Sequence, residues 1–170
     1  MKEKISIIAT GCSLRDYDLS SIEGYKMSIN YAYKYVDCDI IVCYDDPKLG
    51  HMLFPEEMTH TLKEHEYGVG YEVGSAHGLD RRPGYVTMFN SSLFMAINIA
   101  LNMGCKDIDV YGADMELTDG YVHFYDDEPA SDKHVKHYER RFKKNKLEWD
   151  ILKKQIKSYE KVNFIGYPDR

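Results

Sequence analysis

The sequence lacks the features that would mark a membrane-spanning, disulfide-rich or disordered protein. No apolar run is long enough to cross a bilayer. The four cysteines form no Cys-x-x-Cys pair, so buried free thiols in a reducing compartment fit better than a disulfide framework. The aromatic content of 13%, dominated by 15 tyrosines, argues against disorder. No secretory leader is evident, because the first residues lead directly into a short strand. We therefore expect a cytoplasmic protein.

An excess of positive charge is also absent. The net charge is -6 and the isoelectric point is about 5.6, which argues against a general nucleic-acid-binding protein. The local basic stretch at 140–146 lies in a charged helical pattern and is interpreted as a solvated helix face. The 170 residues suit a single domain, residues 1–170.

Neither of the common phosphate-binding fingerprints is present. The chain has no complete Gly-x-Gly-x-x-Gly and no Walker lysine. It does have an apolar run at 5–9 that is typical of a central parallel strand, followed at once by Gly11 and Ser13. A strand that runs into a Gly/Ser turn is a common way to hold a phosphate.

The most informative stretch is 90–114, which predicts a capped helix followed by a buried strand. Asn90, Ser91 and Ser92 belong to the residue types whose side chains cap helix N-termini. The apolar residues at helical spacing, which predict one buried face, are Leu93, Ala96, Ile97, Ala100 and Leu101. Gly104 favours a helix stop. Gly112 and Asp114 then follow the strand, at the edge where open α/β sheets bind ligands.

Polar residues also follow the other predicted strands. Asn30 follows the strand at 26–29, and Asp45 and Asp46 follow the strand at 39–44. That pair of carboxylates suits a divalent metal, a sugar hydroxyl or a helix cap. Because the carboxyl ends of parallel strands meet at one edge, we predict a nucleotide-sized pocket there. The predicted fold is α/β, a single Rossmann-like domain with a mostly parallel sheet flanked by helices.

The segment after Asp114 is polar and aromatic and carries three histidines, His123, His134 and His137. Histidine is the natural general base near neutral pH. His134 and His137 are spaced to share a helix face, although no third metal ligand is evident. A long charged helix is predicted over 132–159, with an apolar stripe at Tyr138, Phe142, Leu147, Ile151, Leu152 and Ile156. Its packing against a second subunit is left open.

Several motifs together resemble the bacterial sialyltransferases typified by the Campylobacter lipooligosaccharide enzymes. The similarity covers the strand and turn at 7–18, the Ser-Ile-Asn at 28–30 and the Val-Cys-Tyr-Asp-Asp-Pro at 42–47. It also covers the helix start at 91–96, the helix end at 100–108 and the Tyr-Gly-Ala-Asp at 111–114. The pattern is also similar to archaeal 6-hydroxymethylpterin diphosphokinases and to uncharacterised proteins of tailed phages. Cys12, Asp45 and Ser92 depart from the sialyltransferase pattern.

The resemblance implies a nucleotide site built from Gly11, Ser13, Asn30, Ser91, Gly112 and Asp114, and Ser92 lies at the same helix start. In that family the donor is a CMP-sugar, no metal is needed and a late histidine is the base. His134 or His137 matches that base best by position, and His123 lies near the nucleotide-contacting tyrosines. Asp45 is a further catalytic candidate. The expected substrates are a nucleotide-sugar donor and a hydroxyl acceptor.

Two other functions remain open. A diphosphate transfer from ATP would need Mg²⁺, with Asp45, Asp46 and Asp114 as ligands. A phage accessory or assembly protein with a vestigial pocket would bind no nucleotide and would use its tyrosine-rich surface for a partner.

Overall fold

The fold is organised around one parallel β-sheet. The computed structural model describes residues 3–43, 59–61, 68–70, 72–73, 78–82, 85–87 and 91–167. The central strands are β1 (Lys4–Ile8), β2 (Lys26–Ile29), β3 (Ile40–Cys43), β8 (Asp107–Tyr111) and β9 (Lys161–Phe164). The short strands are β4 (Thr59–Thr61), β5 (Gly68–Gly70), β6 (Glu72–Val73) and β7 (Tyr85–Val86).

Seven of these described strands form one sheet in the order β5-β4-β3-β2-β1-β8-β9. Every pairing in it is parallel, and β6 pairs with β7 separately. In the centre, Ile7 lies opposite Met27 on one side and Val110 on the other. The strand order reverses beside β1, and a ligand site is expected next to such a reversal. The predicted α/β Rossmann-like fold is confirmed.

The first face of the sheet is covered by the two described α-helices, α1 (Ser92–Asn102) and α2 (Asp132–Leu152). Residues 92–101 are all buried, so the prediction of one apolar face on this helix was too narrow. A helix buried all round lies in the core. Gly104, with φ of 87°, ends the helix as predicted. Its N–H donates to Leu101 O, and Cys105 N–H donates to Ala100 O, which is a Schellman motif.

The long charged helix is shorter than predicted, and its buried row matches the predicted apolar stripe only in part. It ends at Leu152 and is followed by a 3-10 turn, Lys153–Gln155. Leu147 and Ile151, predicted in the apolar stripe, are 59% and 43% exposed. Asn145 and Trp149 are buried instead, with the Trp149 ring against Phe164. Leu152 is buried as predicted, and Phe142 and Ile156 pack against the core. The prediction was wrong at Leu147 and Ile151, because counting only apolar residues overlooked a polar residue in the buried row.

The second face of the sheet is covered differently. Three 3-10 turns lie there, Cys12–Leu14, Leu19–Ser21 and Asn30–Lys34. Ile8 packs with Leu14, Ile22, Ala32 and Val36 in a small apolar cluster. The short turns keep the connections after β1 and β2 close to the sheet edge, and this brings their polar residues together. No helix in the described ranges is long and apolar enough to cross a membrane.

Candidate functional site

A cleft of about 390 Å³ lies at the carboxyl ends of β1, β2 and β8. This volume is within the range of small-molecule sites. The loops after β1, β2 and β8, the start of α1, the 115–131 connection and one face of α2 line it. Of the predicted nucleotide-binding residues, the lining includes Gly11, Asn30, Ser91, Ser92, Gly112 and Asp114. Chain segments distant in sequence therefore meet at the edge that the strand ends predicted.

Asp114 holds the turn that follows β1. Its carboxylate, 2% exposed, accepts hydrogen bonds from Ser13 N–H at 2.8 Å and from Ser13 Oγ at 2.5 Å. The N–H of Gly11 donates to Gly112 O at 2.8 Å, and that of Leu14 donates to Gly11 O at 3.2 Å. These N–H groups, expected from the sequence to meet a phosphate, have protein acceptors instead. A buried carboxylate beside them also disfavours an anion at this turn.

The two loops that meet here approach each other as closely as glycine permits. A Cβ placed on Gly11 would overlap the carbonyl oxygen of Gly112 and the carboxyl group of Asp114. Gly112 adopts φ of 67°, and a Cβ there would press on the Leu14 side chain. Both glycines are therefore needed for the loop-to-loop contact that forms the floor of the cleft.

Asn30 and the start of α1 form another part of the lining. Asn30 adopts φ of 49°, a left-handed conformation that asparagine tolerates better than most residues. Its Oδ1 accepts a hydrogen bond from Ser92 Oγ at 3.2 Å. Ser91 is the N-cap of α1, but its side chain makes no cap bond within the described chain. An α-helix leaves its first N–H groups without helical partners, so this end of α1 suits an anion.

His123 is held in the cleft by the 115–131 connection. Its Nδ1 lies 3.0 Å from Thr10 Oγ1. Its backbone N–H donates to Asp126 Oδ2 at 2.8 Å. Arg15 anchors the same loop, because its guanidinium donates to Asp126 O at 3.0 Å and lies over the Tyr121 ring. The imidazole therefore has a defined position relative to the end of β1.

The imidazole also packs within a chain of aromatic rings. It stacks on Tyr125, with ring centroids 5.1 Å apart, and meets the edge of Tyr138 at 6.1 Å. Tyr125 stacks in turn on Tyr35 at 5.5 Å. Burial raises the pKa of Tyr125 far above its usual range, so this phenol stays protonated. The rings restrict the imidazole plane and shield one side of it from water.

Burial lowers the pKa of His123, and the nearby Asp126 carboxylate opposes that shift only in part. The neutral imidazole is therefore favoured near pH 7. In the tautomer whose Nδ1–H donates to Thr10 Oγ1, Nε2 keeps its lone pair. No described residue hydrogen-bonds Nε2. This is the arrangement that a general base requires.

The lowered pKa of His123 predicts a pH-dependent stability. As the pH falls below the ordinary value of 6.5, the unfolded chain binds a proton at this residue before the folded chain does, so folding loses free energy. We expect the free energy of unfolding of the wild type to fall more steeply than that of His123→Gln between about pH 7.5 and about pH 5.5. Urea unfolding at several pH values measures both. Parallel curves would contradict the assignment.

The other predicted catalytic residues lie elsewhere. His134 and His137 are exposed in the first turns of α2 and are not among the residues that line the cleft. Ser13, which was predicted to bind the nucleotide, is exposed, hydrogen-bonds to Asp114 and is not among the residues that line the cleft. Asp45 and Asp46 lie outside the described residues. Among those described, no three His, Cys, Asp or Glu side chains come together as a metal site.

Sequence reasoning missed four lining residues on α2, Tyr138, Arg141, Phe142 and Asn145, as members of the site. Tyr138 and Phe142 were predicted only as core, and Arg141 only as a solvated charge. Their helical spacing places all four on one face. The signal that could have identified them is Asn145, a polar residue that lies at helical spacing from the aromatic residues Tyr138 and Phe142.

Comparison of the chain with protein-family models, curated proteins and solved structures found no match. The fold and the cleft define an α/β protein with a polar and aromatic pocket at the carboxyl edge of a parallel sheet.

Proposed function

We propose that this protein is an inverting, metal-independent glycosyltransferase that uses a nucleotide-sugar donor. The observation that carries the proposal is the state and position of His123. Its imidazole is favoured in the neutral form, and the contact of Nδ1 with Thr10 holds it at the carboxyl edge of the sheet. A cleft in this position suits a nucleotide. The resemblance to the sialyltransferases supports a CMP-sugar as the donor.

In the proposed reaction, His123 Nε2 takes the proton of an acceptor hydroxyl. The acceptor oxygen attacks the anomeric carbon, and the bond from that carbon to the donor phosphate breaks with inversion. The leaving nucleotide takes the electron pair of that bond on its phosphate oxygen and so gains one negative charge. The first turn of α1, at Ser91 and Ser92, is the best candidate to stabilise that charge, since the N–H groups of Gly11, Ser13 and Leu14 already have acceptors.

A panel of CMP, UMP, CDP, UDP, GDP and ATP tests the donor class by thermal shift, with and without Mg²⁺. A ligand at a hundred times its dissociation constant adds about 2.7 kcal/mol of stability. We expect a metal-independent shift with a pyrimidine nucleotide, followed by transfer from the matching nucleotide-sugar to a hydroxyl acceptor. A shift only with ATP and Mg²⁺ would instead indicate the diphosphokinase. No shift at all would indicate a protein whose pocket binds no nucleotide.

A further inference from the structure

Buried polar atoms without partners are concentrated on one face of α2. Within the described part of the chain, five buried side-chain polar atoms have no hydrogen-bond partner, and three belong to Asn145, Glu148 and Trp149. An unpaired buried polar atom destabilises a protein by about 1–3 kcal/mol. Such atoms in a folded protein call for an explanation, and an absent binding partner is one. Of the three residues, Asn145 lines the cleft.

The Asn145 carboxamide has no hydrogen-bond partner among the described residues. The residue is 7% exposed, its Oδ1 is buried without a partner, and neither end of the carboxamide is hydrogen-bonded within the described chain. A carboxamide offers an acceptor and donors side by side. Its natural complement is therefore a ligand group that also presents a donor beside an acceptor.

Two aromatic rings accompany this carboxamide on the same helix face. Phe142 lies three residues before Asn145 and Tyr138 seven before it, and all three line the cleft. The two ring centroids are 5.9 Å apart with a tilt of 31°. An aromatic wall beside a carboxamide suits a planar heterocycle, because rings stack on a base while an asparagine amide reads its edge.

We propose that Asn145 is the base-reading residue of the cleft, with the Tyr138 and Phe142 rings as the wall against which the nucleobase packs. This inference rests on the proposed function, because it presumes that the ligand is a nucleotide. It assigns α2 to base selection and leaves the phosphate to the start of α1. Asn145 contacts the substrate and takes no part in proton transfer.

Titration calorimetry with CMP, UMP, AMP, GMP and ribose 5-phosphate tests this assignment. We expect the wild type to bind at least one nucleotide about tenfold more tightly than the base-free sugar phosphate, a difference of about 1.4 kcal/mol. The wild type should also discriminate among the four nucleotides. Asn145→Leu should remove that discrimination, because the aromatic wall alone does not read the edge of a base, and should leave the affinity for ribose 5-phosphate unchanged.

Thr87→Val is the matched control. Thr87 Oγ1 is another unpaired buried atom, in a residue that is 1% exposed and is not among the lining residues. Both substitutions remove an unsatisfied polar atom, so both should keep or raise the melting temperature. Only Asn145→Leu should alter nucleotide binding, which a purely structural role would not do.

The remaining outcomes overturn the inference in distinguishable ways. If Asn145→Leu keeps the wild-type preference among the nucleotides, Asn145 does not read the base, while nucleotide binding itself stands. If it weakens ribose 5-phosphate as much as the nucleotides, the carboxamide binds the sugar. If the wild type binds none of the four nucleotides, the proposed function fails and the inference fails with it.

Discussion

Replacing His123 by alanine is expected to lower the turnover of the transferase by about a hundredfold or more, which is the usual effect of losing a general base. The reason is the local geometry. In the tautomer whose Nδ1–H donates to Thr10 Oγ1, 3.0 Å away, Nε2 is left to accept the proton of the acceptor hydroxyl. Steady-state kinetics with saturating donor and acceptor measure the change in kcat.

The matched controls are His134→Ala and His137→Ala, since both residues are exposed and lie outside the cleft lining. We expect each to retain close to the wild-type rate. A large loss in either variant, with little loss in His123→Ala, would transfer the role of base to α2. Little change in all three single variants would refute a histidine base altogether.

The pH profile separates a catalytic role from a structural one. Burial lowers the pKa of His123, so the acidic limb of the wild-type kcat/KM profile should lie below the ordinary histidine value of 6.5. In His123→Gln that limb should disappear from the residual activity, because glutamine does not titrate. A variant that is slower but keeps the limb would show that another group is the base.

The fold was predictable because its signals are local. The strands at 5–9 and 26–29 and the helix stop at Gly104 each follow from a few consecutive residues. The observed β1, Lys4–Ile8, and β2, Lys26–Ile29, agree with the prediction to within a residue. Parallel pairing then requires the strand ends to meet at one edge. The location of the cleft therefore followed from the sequence as soon as the sheet was predicted to be parallel.

The chemistry inside the cleft was less predictable because it depends on contacts between distant residues. Asp114 was expected to face a ligand, but its carboxylate binds Ser13, which is 101 positions away in the chain. No local pattern distinguishes a carboxylate that binds a substrate from one that caps a turn. Which histidine enters the cleft likewise depends on the contact with Thr10, 113 positions from His123.

The errors on α2 have a related cause. Helical periodicity identifies a buried face by its apolar residues, and here the buried row includes Asn145 and Glu148. Departures from the expected pattern of buried residues are expected at functional or strained sites. The polar residue in the buried row, which the prediction overlooked when it placed Leu147 and Ile151 there, is therefore also the residue that brings a carboxamide to the cleft.

Gly11→Ala is expected to cause the largest loss of stability of any conservative substitution that we propose, about 3 kcal/mol, which is the upper end of the usual effect of overpacking. Gly11 has φ of -69° and ψ of 155°, which alanine adopts without strain, so the effect is purely steric. The added Cβ would overlap Gly112 O and the Asp114 carboxyl group. Relief requires the loops to separate, which would break the Gly11–Gly112 and Ser13–Asp114 hydrogen bonds.

Gly24→Ala is the matched control, because an added Cβ has free space at Gly24 but the backbone conformation there is unfavourable for alanine. Gly24 adopts φ of 85° and has nothing within 4 Å of an added Cβ, so its substitution carries only the backbone strain of about 1–2 kcal/mol. Urea unfolding of both variants compares the loss of stability from steric overlap at Gly11 with the loss from backbone strain at Gly24. Gly11→Ala should also weaken nucleotide binding, since the separated loops form the floor of the cleft, whereas Gly24→Ala should leave it unchanged. Equal losses of stability would mean that the loops can separate at little expense, and the close contact between the ends of β1 and β8 would then not be what shapes the cleft.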